Sequence, residues 1–228
     1  MEFRRESDML EPVKDWLESH ELVAKTEFTN PWGVCDLVGC CLKRKNIAER
    51  VALGQRAVIG PPLRIALLAR IPDRDTGRTV TLKKLQRDHA GLVDGERVAA
   101  EVARLVASRF VQVTRRGSFQ KINGWSPLHQ RLVTVELKLS RIREVLDQAI
   151  ANRDLTFESY AAFPMSVAES LVGGRYRKRF GRVGVGVIGV TSTECRVLLG
   201  ASPRGHRPDI VAQTHCVERF WHVYLKDN

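Results

Sequence analysis

Two apolar, strand-like segments of the chain contain charged residues. An isolated charge is unfavourable inside a buried strand, so these residues are candidates for a functional site. Side chains alternate between the faces of a strand, so in Val133–Leu139 the aliphatic residues share one face and Glu136 and Lys138 share the other. In segment 34–38, Asp36 is flanked by apolar residues, and a carboxylate there is unfavourable unless it is paired or binds a metal ion. Alone, the Glu-x-Lys pattern also fits an edge strand with a surface ion pair on its solvent face.

The elements around these segments predict an α/β domain. Apolar residues at helical spacing indicate a first helix, and strands then alternate with helices, as in a sheet with crossover connections. The predicted elements of this domain are a helix from Asp8 to about His20, strands 24–28, 34–42 and 132–139, a helix 140–152, a strand 157–163, a short helix 167–171, and strands 183–190 and 195–199.

The positive charge of the chain is concentrated in its centre. The 228 residues carry a net charge of +11. Residues 43–130 hold 18 Lys and Arg against 7 Asp and Glu, while acidic and basic residues balance in the remainder. Such asymmetry predicts a segment that binds a polyanion.

This basic segment has its own pattern of elements. Helices are predicted at 63–71, 82–89 and 95–109, followed by a hairpin (110–113 and 119–122) with a basic tip. Three helices and a hairpin resemble the winged helix-turn-helix family over residues 61–125. We therefore predict one discontinuous domain, residues 1–42 and 131–228, interrupted by an inserted domain, residues 43–130.

The order of the charged residues in the discontinuous domain resembles the PD-(D/E)xK, or restriction-endonuclease-like, family. That family has a helix with a glutamate, a strand pair with an aspartate, a Glu-x-Lys strand, and a helix with a polar contribution. Cys35 stands where the family name has proline, and the insert explains the long separation between the aspartate and the Glu-x-Lys strand. The matching residues are Glu11, Asp36, Glu136, Lys138 and Gln148. The resemblance implies a mixed sheet flanked by helices and interrupted by the winged-helix domain.

The resemblance also implies a site that cleaves DNA. Asp36 and Glu136 would hold one or two Mg²⁺ or Mn²⁺ ions through oxygen ligands. Lys138 would orient the attacking water or stabilise the transition state as a point charge. Glu11 would reach the metal through water or orient Lys138, and Gln148 would position the phosphate or a carboxylate of the site.

Winged helices typically place their third helix in the major groove of DNA and their wing against the backbone or minor groove. Glu101, between two arginines of the third helix, could neutralise that face, so backbone binding through the wing is the simpler expectation. A winged helix that binds protein is the alternative. By this analogy the DNA-contacting residues would be Lys83, Lys84, Arg97, Arg104, Arg115, Arg116 and Lys121.

Two further segments have ambiguous patterns. Residues 175–182 are strongly basic and are predicted to form a loop, which could be a solvated loop or could hold DNA beside the nuclease site. Residues 184–189 match the G-x-G-x-x-G pattern of dinucleotide-binding proteins, but no helix pattern starts within them. We predict a glycine-rich buried strand there.

The sequence thus predicts a DNA-binding, metal-dependent endonuclease-like protein. The alternative is a catalytically silent nuclease fold that acts as a DNA-binding regulator or binds a partner protein. A homodimer is compatible with either. No stretch reaches the roughly 20 apolar residues that span a bilayer, and the N-terminus lacks the apolar core of a signal peptide. We therefore expect a cytoplasmic protein with no membrane partner.

Overall fold

The computed structural model describes residues 3–31, 33–123, 128–204 and 206–225. The chain forms two compact units. One consists of Met1–Cys41 and His129–Cys216, and the other of Leu42–Leu128 and Val217–Asn228. Within the described residues, no helix combines the length and the apolar character that crossing a bilayer requires.

The first unit is built on a mixed six-stranded sheet flanked by helices, so the predicted α/β class is confirmed. Its elements are α1 (Leu10–Ser19), β1 (Val23–Asn30), β2 (Gly33–Leu42), β5 (His129–Leu137), α6 (Ile142–Ala151), β6 (Glu158–Pro164), α7 (Met165–Gly173), α8 (Tyr176–Val183), β7 (Gly186–Val190), β8 (Cys195–Leu199) and, up to Cys216, α9 (Ile210–Glu218). The strand order in the sheet is β1-β2-β5-β6-β7-β8. β1 and β2 are antiparallel, β5, β6 and β7 are parallel, and β8 is antiparallel to β7.

Apolar side chains cover both faces of the sheet. On one face, Val13 and Leu17 of α1 pack with Val133 and Val135 of β5. On the other face, α6, α7 and α8 pack against β6 and β7. Because β5 lies between β2 and β6, the Glu-x-Lys segment is interior, and the alternative of an exposed edge strand is wrong.

From Gly186 onward the glycine-rich segment forms the buried strand β7, as predicted, whereas Val183 ends α8 and Gly184 caps that helix, so the strand begins three residues later than predicted. A Cβ atom added to Gly186 would collide with the ring of Tyr160 on the neighbouring strand β6. Glycine is therefore required at this position by the close approach of a bulky aromatic side chain.

The basic segment 175–182 is a helix, and the prediction of a loop there is wrong. Tyr176, Phe180 and Val183 of α8 lie on one helical face and pack with the cluster that contains α6 and α7. This apolar spacing stabilises the helix even though basic residues occupy the positions between.

Among its described residues, the second unit contains four α-helices and a β-hairpin before its C-terminal segment. The elements are α2 (Arg44–Ala52), α3 (Pro62–Arg70), α4 (Leu82–Asp88), α5 (Gly95–Ala107), β3 (Val111–Val113), β4 (Phe119–Lys121) and α10 (Trp221–Leu225). The side chains of Thr81 and Asp94 cap the N-termini of α4 and α5, which fixes where these helices begin.

The described C-terminal residues 217–225 belong to this second unit, whereas the predicted first domain includes residues 131–228. The reason is a buried ion pair. The Arg50 guanidinium donates to both carboxylate oxygens of Glu218, at 2.5 and 2.9 Å. The Ile59 N–H donates to the same carboxylate at 2.8 Å. Arg50 also stacks over the ring of Trp221, with 4.2 Å between its Cζ atom and the ring centroid.

We predict that Glu218→Ala destabilises the second unit by about 3–5 kcal/mol, because it leaves the buried Arg50 charge without its carboxylate. Denaturant unfolding of the full chain measures this change. Glu169→Ala is the matched control, since Glu169 belongs to an exposed ion pair with Arg196. The control should change the free energy of unfolding by less than about 1 kcal/mol. Equal effects of the two substitutions would show that the buried Arg50–Glu218 ion pair does not stabilise the second unit.

Candidate functional site

Two carboxylates meet on neighbouring strands of the first unit. Asp36 lies in β2 and is half-buried, while Glu136 lies in β5 and is 1% exposed. The Leu137 N–H donates to Asp36 Oδ2 at 2.7 Å, which fixes the aspartate against β5. Asn152 donates its side-chain amide to Glu136 Oε1 at 2.6 Å. The structure therefore brings together the two predicted metal ligands.

The proximity of these two acids changes the protonation of one of them. Burial and, next, the negative charge of Asp36 raise the pKa of Glu136 from 4.5 to about 7, while the hydrogen bond from Asn152 and the charge of Lys138 act in the opposite direction. Burial, followed by the charge of Glu136, raises the pKa of the Cys35 thiol well above its usual range. Cys35 is thus a neutral neighbour, and deprotonation of both carboxylates creates a local excess of negative charge that a cation would compensate.

Lys138 follows β5 directly and is 6% exposed. Its backbone N–H donates to the carbonyl of Ala162 at 3.1 Å, which keeps it in register with β6. Its Nζ atom lies 3.0 Å from Glu6 Oε2 and 3.7 Å from Glu144 Oε1. Arg141 joins the same cluster through Glu144, at 2.8 Å. Two carboxylates therefore hold the lysine ammonium group in place.

A pocket of about 380 Å³ opens beside Glu136. Gln148 and Asn152 of the α6 region line it, together with Val34 of β2. The Gln148 Oε1 atom is buried and accepts no hydrogen bond from any described residue. A buried carbonyl oxygen without a donor is unfavourable, so this atom is available to a cation or to a donor group of a bound ligand.

Glu11 is not part of this arrangement, contrary to the prediction. Its carboxylate is 75% exposed and pairs with Lys14 at 3.6 Å. Met9 and Val13 are the buried positions of this region, and Glu11 lies two residues from each, which is about 200° around a helix. The glutamate that contacts Lys138 is Glu6, in the turn that precedes α1.

Glu6 and Asn152 are site residues that the sequence patterns did not predict. Asn152 follows Gln148 by four residues, so the two side chains lie on the same side of the helix. That spacing could have suggested Asn152. Glu6 precedes the periodic part of the first helix, and no spacing rule connects it to Lys138.

The backbone is distorted opposite Asp36. Glu27 of β1 has a φ of 45°, in the left-handed region that non-glycine residues rarely adopt. The β1–β2 pairing passes from Thr26–Leu37 to Phe28–Cys35 and skips the Glu27–Asp36 position. Such strain is of order 1–3 kcal/mol and concentrates at functional sites.

The predicted DNA contacts in the second unit divide into two groups. Lys121 is wrong as a surface contact, since it is 9% exposed and its Nζ lies 3.1 Å from Asp73. Lys84 pairs with Asp88, and Arg104 pairs with the buried Glu101. The remaining four are exposed and have no ion pair with the described part of the chain. They are Lys83, Arg97, Arg115 and Arg116.

No protein-family model, no curated protein and no solved structure matches the chain.

Among the described residues, no group of three or more His, Cys, Asp or Glu is arranged to hold a metal ion. Any cation at this site would therefore need oxygen ligands besides Asp36 and Glu136.

We predict that Glu136→Gln stabilises the metal-free protein at alkaline pH. The folded chain binds the Glu136 proton more tightly than the unfolded chain, so stability falls as pH rises from about 4.5 to about 7. The neutral variant lacks this penalty and should be more stable by about 2–3 kcal/mol at about pH 8. The difference should vanish near pH 4.5, as measured by denaturant unfolding in EDTA.

Glu11→Gln is the control, because it neutralises an exposed carboxylate without relieving a buried one. It should leave the pH profile of stability unchanged. A Glu136→Gln variant whose profile matches that of the parent would show that neither burial nor the charge of Asp36 raises the pKa of Glu136 in the folded chain.

Proposed function

We propose that this chain is a metal-dependent endonuclease that hydrolyses DNA phosphodiesters. The observation that carries the proposal is the meeting of Asp36 on β2 with Glu136 on β5, with Lys138 directly after β5 and with Glu136 lining a pocket. The order helix, two antiparallel strands, Glu-x-Lys strand, helix and parallel strand also supports a restriction-endonuclease-like fold.

The donor set fits Mg²⁺ or Mn²⁺. Asp36 and Glu136 supply hard carboxylate oxygens, and the unsatisfied Gln148 Oε1 lines the same pocket as Glu136. These residues would hold the ion, and Asn152 would orient Glu136. A divalent ion bound there supplies positive charge at the scissile phosphate and lowers the pKa of a bound water.

The protein side chains contribute orientation and charge. Lys138 places a positive charge next to the carboxylates, where it would stabilise the negative charge that develops on the phosphate. Glu6 and Glu144 hold the lysine side chain in one position. Because Glu6 is fixed to Lys138 rather than to the carboxylate pair, it acts as a positioning residue.

The second unit is proposed to bind the DNA as a winged helix. Support comes from α3, α4 and α5 followed by the β3–β4 hairpin, and from the exposed Arg115 and Arg116 in the turn of that hairpin. Glu101 engages Arg104 and Arg64, at 2.7 and 2.6 Å, which removes much of the free charge on α5. Backbone binding through the hairpin turn is therefore favoured over base reading by α5.

The direct test is cleavage of plasmid and single-stranded DNA with Mg²⁺ or Mn²⁺. Asp36→Asn and Lys138→Met should each lower cleavage by about 100-fold or more while DNA affinity in EDTA is kept. Glu11→Gln should cleave like the parent, because Glu11 lies outside the site. A parent chain that binds DNA but cleaves none with either ion would reject the enzyme and leave a catalytically silent DNA-binding protein.

We further predict that Arg115→Ala with Arg116→Ala weakens DNA binding. Each phosphate contact releases counterions, so the double variant should lower the slope of log affinity against log salt concentration by about 2. Fluorescence anisotropy with a labelled duplex across about 50–200 mM salt measures this slope. Arg196→Ala, an exposed and ion-paired arginine of the first unit, should leave the slope unchanged. A flat salt response of the parent would indicate a protein partner for this unit instead.

A further inference from the structure

A second basic surface lies on the first unit, outside the candidate site. Every charged residue between Ser170 and Thr193 is basic. Each of these side chains is exposed, and none forms an ion pair with the residues that the structure describes. They are Arg175, Arg177, Lys178, Arg179 and Arg182, on α8 and the residue before it.

Several of these side chains line a groove. Its volume is about 540 Å³, and it is bounded by Arg177, Lys178 and Arg182 of α8, by Leu199 at the end of β8, and by Arg204. Unpaired like charges on adjacent turns repel one another, so such a surface is stabilised by an anionic ligand that lies between them.

A buried arginine fixes the two walls of this groove. Arg153 is 5% exposed, and its guanidinium donates to the carbonyls of Val183, at the end of α8, and of Ser202 and Arg204, on the opposite wall. Its acceptors are backbone carbonyls, so no carboxylate among them neutralises its charge. Arg153 thus both shapes the groove and adds to its positive charge.

The groove is connected to the candidate site by a single 3-10 turn, Asn152–Asp154. Asn152 hydrogen-bonds Glu136, and the next residue, Arg153, holds the walls of the groove. Asp154 lines the pocket beside Glu136. The three successive residues of this turn therefore contact both the pocket beside Glu136 and the walls of the groove, so the groove lies close to the candidate site.

From this arrangement we propose that the α8 groove binds the phosphodiester backbone of the DNA that enters the pocket, at nucleotides flanking the scissile bond. The identity of the ligand as DNA rests on the proposed function. Arginine supplies most of the charge, and its planar guanidinium matches the geometry of phosphate. Membrane adsorption by a basic helix needs exposed apolar residues that insert among the lipids. The apolar Phe180 of α8 is instead fully buried within the unit.

The test is DNA binding by a triple variant, Arg177→Ala, Lys178→Ala and Arg182→Ala, in the full chain. Anisotropy is measured in EDTA, so that binding is read without cleavage, on single-stranded and duplex oligonucleotides. Loss of three phosphate contacts should lower the log–log salt slope by about 2.7 on the duplex and by about 2.1 on the single strand, and should weaken affinity by about tenfold or more at low salt. The control variant removes three positive charges elsewhere in the same unit, with Lys14→Ala, Lys25→Ala and Arg196→Ala. It should keep the affinity of the parent within about twofold, since these residues lie outside the groove.

Circular dichroism and thermal unfolding of the triple variant should match the parent, because the three groove side chains make no ion pair within the described residues. The control variant loses only the exposed ion pairs of Lys14 and Arg196, each of which contributes less than about 1 kcal/mol. A triple variant with the affinity and salt slope of the parent would overturn the proposal. Loss of binding to phosphatidylserine vesicles with DNA binding unchanged would also overturn it and would indicate a lipid headgroup ligand.

The proposal of a DNA-binding groove and the proposal of a nuclease can be rejected independently of each other. A chain that never cleaves DNA, but loses DNA affinity in the triple variant, keeps the groove and rejects the nuclease. A chain whose triple variant cleaves with unchanged KM keeps the nuclease and rejects the groove.

Discussion

The burial of Glu136 beside Asp36 is the constraint on which the rest of this site depends. Two carboxylates on adjacent interior strands repel each other, and burial removes most of the water that would screen them. The folded chain limits this penalty with hydrogen bonds from Leu137 and Asn152 and with the nearby charge of Lys138. When both carboxylates are ionised, the site holds negative charge close to the unsatisfied amide oxygen of Gln148, and this arrangement supports the proposed binding of a cation.

The packing of the sheet against its helices holds these site residues in position. The apolar alternation of β5 packs against α1 on one side, and the parallel pairing with β6 places α6 on the other side. The end of α6 then brings Gln148 and Asn152 to the pocket beside Glu136. The position of each polar group in the site therefore follows from the burial of aliphatic residues nearby.

The sequence predicted the elements of the sheet and the meeting of Asp36 with Glu136. Period-two alternation and apolar helical spacing are local signals, and they were sufficient for β2, β5 and α6. The hairpin and the helices α3, α4 and α5 of the second unit also occur close to their predicted bounds, because turn and cap residues mark their ends, whereas no helix was predicted for α2 or α10.

What the sequence did not predict depends on contacts between distant residues. The pairing of Glu6 with Lys138 spans 132 positions, and that of Arg50 with Glu218 spans 168. Nothing in the local sequence distinguishes Lys121 from a surface lysine, because its ion pair with Asp73 forms only in the folded unit. The helix α8 was missed for a different reason, since its dense positive charge obscured the spacing of Tyr176, Phe180 and Val183.

Binding of Mn²⁺ followed by electron paramagnetic resonance tests the central claim most directly, since it reads the ion itself and requires no DNA. The account predicts that the parent chain takes up Mn²⁺ at one or two sites with oxygen ligands, that Asp36→Asn and Glu136→Gln abolish this uptake, and that Mg²⁺ competes for it. Uptake that is absent in the parent, or unchanged in both variants, would contradict the account.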